Sequence, residues 1–117
     1  MATWEDVRAL ALSHPGVEEV TSRGSAAWRT TKRQLVWERP LRQTDIRELG
    51  DTAPDGPVLA ALVEDEGEKF ALIAAEPEVF FTTSHFEGHR IVLVRLERLD
   101  RGRLAELVAG AFEIARP

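Results

Sequence analysis

Apolar positions near the start of the chain recur at helical spacing: Trp4, Val7, Leu10 and Ala11. Thr3 stands just before them and Asp6 three residues later, a capping-box-like pair. The pattern predicts a helix over 3–13, ended by Pro15-Gly16. β-Branched residues in 17–22 predict a short strand, and Gly24 a turn. The runs 26–30 and 34–38 predict two strands around a polar tip, Thr31-Lys32-Arg33. Alternation then puts Ala26, Trp28 and Thr30 on one face. Pro40 ends the second strand, since proline cannot donate to a ladder. Thr44 or Asp45 can cap a short helix through Ile46 and Leu49, closed by Gly50.

Residues 51–57 hold two prolines and a glycine and read as a loop. Val58 to Val63 is almost continuously apolar, the signature of a strand buried on both faces. Residues 66–75 predict a helix whose acids lie at its start, where the helix dipole favours them. Two apolar runs, around Phe80 and Val92, flank the polar centre Glu87-Gly88 and predict a β-hairpin. Asp100 caps a last helix with Leu104, Leu107, Val108, Ala111 and Phe112 along one stripe. The element order αβββαβαββα, with mostly short connections, predicts an α+β two-layer sandwich. In it a mostly antiparallel sheet of five or six strands carries helices 3–13 and 101–115 on one face. At 117 residues, without repeats or linkers, the chain reads as one domain, 1–117.

No cysteine is present, which removes disulfides, thiolate metal sites and cysteine nucleophiles together. The first residues lack a signal-peptide pattern, and no apolar run approaches the roughly 20 residues of a membrane span. These features place the expected home of the chain in the cytoplasm, away from membranes. Net charge is −5, against a generic nucleic-acid binder, but its distribution is uneven. Residues 22–47 sum to +5 and residues 48–80 to −8, so a basic and an acidic region are expected.

Candidate chemistry is sparse. His85-x-Glu87-x-His89 offers three ligand types, but Gly88 favours a turn that breaks their shared face, and no fourth ligand is near. No metal is expected there. Ser84 and His85 lack the nucleophile elbow of a hydrolase. Adjacent acids such as Glu18-Glu19 and Glu64-Asp65-Glu66 would serve acid–base chemistry only if buried. The glycines are scattered, so no loop is built to cradle phosphate. The expectation is a binding domain with no catalytic residue and no cofactor.

The chain resembles the MmcQ/YjbR-like proteins along nearly its whole length. The resemblance runs through Thr3-Trp4-Glu5-Asp6-Val7-Arg8, Leu12 to Glu19, Ala27-Trp28-Arg29 and Val36 to Leu41. It is strongest over Glu76 to His89 and Val92 to Leu96. Ser84 and Arg90 stand where that family often has proline, and no basic tail follows the last helix. The resemblance implies a frataxin/CyaY-like sandwich, a double-wing DNA-binding label and no enzymatic activity. On that reading the tip Arg29-Thr30-Thr31-Lys32-Arg33 would be the nucleic-acid contact. Its cations would release counterions and its hydroxyls would donate to phosphate. The rival reading puts Trp28 and Trp37 in one packed face and leaves the tip a plain turn. By analogy with frataxin-like folds, Glu5, Asp6, Glu18 and Glu19 would form an acidic ridge. The alternative to DNA is a small-molecule or protein interaction module with a pocket between the sheet and the last helix. Whether residues 23–47 form one basic patch decides between the two.

Overall fold

The computed structural model describes all of residues 1–117. Its helices are α1 (Trp4–Leu12), α2 (Gln43–Leu49), α3 (Glu66–Ala75) and α4 (Arg101–Ala115). Its strands are β1 (Glu18–Ser22), β2 (Ser25–Arg29), β3 (Gln34–Glu38), β4 (Val58–Leu62), β5 (Phe80–Phe81) and β6 (Ile91–Arg95). They form one six-stranded sheet in the order β1-β2-β3-β4-β6-β5, with every neighbouring pair antiparallel. The fold is the expected α+β sandwich.

Side-chain caps start α1, α3 and α4, whereas α2 begins at Gln43 behind Arg42, so neither Thr44 nor Asp45 caps it as the sequence predicts; both lie inside its first turn. The Thr3 hydroxyl accepts the Asp6 N–H at 3.2 Å while the Asp6 carboxylate accepts the Thr3 N–H at 3.0 Å, closing the capping box. Asp65 and Asp100 accept the N–H groups of Glu68 and Arg103 at 2.8 and 2.7 Å. Each satisfies a donor that has no partner inside the first turn. The turn between β1 and β2 is two residues, Arg23 and Gly24, both with positive φ, 53° and 84°. That geometry matches the right-handed twist of the strands.

The main core lies under α1 and α4. Val7 and Ala11 meet Leu104, Leu107, Val108, Ala111 and Phe112 above Trp28, Val36, Leu59, Ala61, Val92 and Val94. All five residues of β4 are buried, as its apolar run predicts, because it lies between β3 and β6 with side chains covered on both faces. The other face carries a smaller cluster of Val58, Ala60, Phe81, Phe86 and Leu93, against which Trp37, Leu41 and Leu49 pack. The two tryptophans therefore sit on opposite faces, not on one. The register explains it: Trp28 is opposite Val36, and Trp37 is opposite Ala27, so pleating sends them apart.

The predicted β5–β6 hairpin is present, with Phe80 opposite Val94 and Phe81 opposite Leu93. Its connection is not a tight turn at Glu87-Gly88. Residues 82–90 form a longer excursion, with a 3₁₀ turn at Ser84–Phe86. Two side chains pin it. Glu48 of α2 accepts the Ser84 N–H at 2.9 Å and its hydroxyl at 2.7 Å. Lys69 of α3, 0% exposed, donates from Nζ to the carbonyls of Phe86 at 2.8 Å and His89 at 3.1 Å. Burial draws the Lys69 ammonium below its usual pKa, partly opposed by Glu66 and Glu87.

Candidate functional site

The basic tip is more structural than its composition implies. Thr30 is 2% exposed. Its hydroxyl donates to the carbonyl of Ala115 at 2.6 Å and accepts the N–H groups of Lys32 and Arg33 at 3.1 and 3.3 Å. Ala115 ends α4, so the threonine closes the β2–β3 turn and satisfies an orphan helix carbonyl at once. The hydroxyl's single proton is spent there. Arg29 is half-buried and donates from Nε to the Thr30 carbonyl at 3.0 Å. Thr31 and Lys32 are exposed and Arg33 half-buried.

The basic residues of 23–47 do not form one patch. Arg29, Lys32 and Arg33 lie at one end of β2 and β3; Arg23 and Arg42 lie beyond the other. The length of β2 separates them, about 13 Å at roughly 3.3 Å per residue. Arg39 is largely withdrawn from solvent. Its Nη2 pairs with Asp45 Oδ2 at 3.2 Å, both side chains buried, and its guanidinium lies 5.2 Å from the centre of the Phe86 ring. Asp45 also accepts the Arg42 N–H at 2.8 Å, which fixes the start of α2.

The acidic ridge is likewise partly engaged. Glu19 accepts from Arg8 Nε at 2.7 Å and from the Trp28 indole N–H at 2.9 Å. The Arg8 hydrogen bond is the main cause that holds the Glu19 carboxyl below its usual pKa. The Asp6 carboxyl is lowered too, chiefly by the Thr3 N–H, with Arg101 adding to it. Glu5 and Glu18 are exposed. His85, Glu87 and His89 are exposed on the 82–90 excursion, and no three acidic or histidine side chains anywhere are gathered closely enough to hold one ion.

A cleft of about 520 Å³ opens on the sheet face opposite α1 and α4. Trp37 lines it, with Phe86 and His85 from the excursion, and Arg23 and Arg42. His85 stands edge-on to Phe86 at 4.8 Å between ring centres. Arg23 and Arg42 are exposed and form no ion pair. The Glu38 carboxylate also lines the cleft and accepts the Ala26 N–H at 2.6 Å, so the two free guanidinium groups outweigh one carboxylate, and with the aromatic wall they suit a ligand with a flat apolar body and a negative charge. The sequence reading missed this cleft. Its members are spread over residues 22–86 and meet only through strand pairing and the 82–90 excursion. The one local signal was Arg23-Gly24, an arginine in a turn position that favours asparagine or glycine.

The architecture is that of a known α+β class. The crystal structure of DR2400 from Deinococcus radiodurans, a DUF419 domain protein, has the same fold, with a TM-score of 0.72. The two chains are 20% identical, and the match covers 97% of this chain and 78% of that one. No family model matches the sequence. Two uncharacterised mycobacterial proteins, Rv2570 of Mycobacterium tuberculosis and Mb2600 of Mycobacterium bovis, are each 42% identical over 120 residues. Those matches span all of this chain and 91% of each relative. The chain belongs to the family of these mycobacterial proteins.

Proposed function

We propose that this chain is a non-catalytic, MmcQ/YjbR-like binding domain of the cytoplasm, whose cleft beside Trp37 takes a small anionic ligand with a flat apolar body. The DUF419 fold of the Deinococcus protein supports the family assignment. The absence of cysteine and of any helix able to cross a membrane fits the compartment. The observation that carries the ligand reading is the cleft itself, with Trp37 in its wall and Arg23 and Arg42 unpaired. DNA is the weaker reading because the cations are divided between two ends of the sheet and Thr30 is spent on α4.

Titration of the protein with benzoate, adenosine monophosphate and inorganic phosphate, followed by tryptophan fluorescence, tests this. Adenosine monophosphate or benzoate should quench saturably and phosphate should compete. Arg23→Ala with Arg42→Ala should weaken binding at least tenfold, and Trp37→Phe should remove most of the signal. Absence of saturable quenching by any of the three sinks the ligand reading, as does quenching unchanged in the double variant. Duplex DNA is the control arm. Binding lost in Arg29→Ala, Lys32→Ala, Arg33→Ala, with a log–log salt slope no steeper than about −3, would put the function at the tip instead.

A further inference from the structure

Helices α3 and α4 lie beside the same sheet without packing closely on each other; the near neighbour of α3 is β5. Helices that share a face normally close to 8–10 Å and interlock their side chains. Here a groove of about 380 Å³ stays open between them. Val63, Leu72, Leu107 and Ile114 line it with apolar surface. Gly110 of α4 faces it, and a Cβ there would meet nothing within 4 Å, so the space beside this turn is empty. Glycine is among the poorest residues for a helix interior, and nothing inside the chain requires it at this position.

The rim is strongly acidic. Glu64, Glu68, Glu106 and Glu113 stand around the groove, all exposed. Arg103 lines it too, bound to Glu76 at 2.8 Å and to Glu106 at 3.5 Å, and Arg116 pairs with Glu113 at 3.1 Å, which leaves Glu64 and Glu68 as the rim carboxylates without a cation. Such a rim repels acidic segments and attracts basic ones. From Arg103 to Ile114 the α4 wall spans about 16 Å at 1.5 Å per residue, three turns of helix, while α3 faces it over one turn, Glu68 to Leu72. An amphipathic helix would lay anchors at i, i+3 or i+4 and i+7 into a groove of that length.

We infer that the α3–α4 groove docks a basic amphipathic helix of a protein partner, with its apolar stripe over Gly110 and its lysines or arginines against Glu64 and Glu68. This surface is on the opposite side of the sheet from the Trp37 cleft and does not depend on it. The test uses a fluorescein-labelled 14-residue helical peptide of leucine and lysine, and the same peptide with glutamate for lysine. Anisotropy of the full chain should show saturable binding of the first and none of the second, weakening on going from low to physiological salt. Gly110→Leu fills the groove and should weaken binding at least tenfold while raising the melting temperature. Gly110→Lys should do the same through charge, which keeps the test sound if the leucine variant self-associates. Converting Glu64 and Glu68 to glutamine should weaken binding and flatten its salt dependence. No saturable binding by the parent overturns the inference. So does binding by folded Gly110 variants equal to the parent's.

Discussion

Arg39 and Asp45 form a pair whose two charges are almost wholly out of water, with the guanidinium also over Phe86. Removing one member leaves the other buried and uncompensated, at a cost of about 3–5 kcal/mol. Asp45→Ala also releases the Arg42 N–H at the start of α2. Its urea midpoint should therefore fall steeply, and the apolar double variant Arg39→Met, Asp45→Leu should recover much of the loss. A midpoint within error of the parent's would show that the pair is open to water. Lys69 makes a second demand of the same kind. Its folded pKa is below the usual 10.5, so between those two values the unfolded chain holds more protons. Stability from this group is lowest at neutral pH, with the ammonium charged, and rises as pH climbs toward 10.5. The parent's melting temperature should gain on that of Lys69→Met across that window, because all other titrating groups are shared. A constant gap between the two from neutral pH to 10.5 would refute it. At neutral pH Lys69→Met should speed amide exchange in residues 84–89, whose carbonyls at Phe86 and His89 lose their donor.

The β2–β3 turn and the end of α4 are held by one hydroxyl. Thr30→Val keeps the shape and removes three hydrogen bonds, leaving the Ala115 carbonyl and the Lys32 and Arg33 N–H groups without that partner. Unsatisfied groups of this kind cost about 1–3 kcal/mol. Chemical denaturation should show a loss in that range, and exchange should speed together in residues 30–34 and in the last turn of α4. Loss confined to the turn would mean that the contact to Ala115 contributes nothing. The starts of α1, α3 and α4, by contrast, are local chemistry. Thr3, Asp65 and Asp100 stand directly before their helices and act on groups three residues away, which is why two of the three caps are readable from the chain alone.

Across the whole molecule, one sheet serves two cores. Trp28 reports on the core beneath α1 and α4, and Trp37 on the smaller cluster across the sheet. Since β3 carries both faces, neither cluster can come apart without breaking the same ladder. Variants retaining only Trp28 or only Trp37 should each unfold in urea with a fluorescence midpoint that coincides with that variant's own circular-dichroism midpoint. An early transition seen only by Trp37 would show that the 39–57 segment and the 82–90 excursion open independently.

The elements, their order and the α+β class follow from the chain by itself, because they rest on spacings of two or three to four residues and on caps within one turn. The buried place of β4 follows from its unbroken apolar run. Pairing order and surroundings do not. Trp28 and Trp37 look alike in sequence, yet the register of β2 on β3 sends one into the core and the other into a cleft. Nothing in the sequence around Arg39, Lys69 or Thr30 marks them as buried. Burial of each is decided by segments far along the chain: the 84–89 excursion for Arg39 and Lys69, and the end of α4 for Thr30. The charge tally of residues 22–47 was correct as a sum. Two hairpin turns at opposite ends of the strands divide it, and a one-dimensional sum carries no information about which end of a strand a residue occupies.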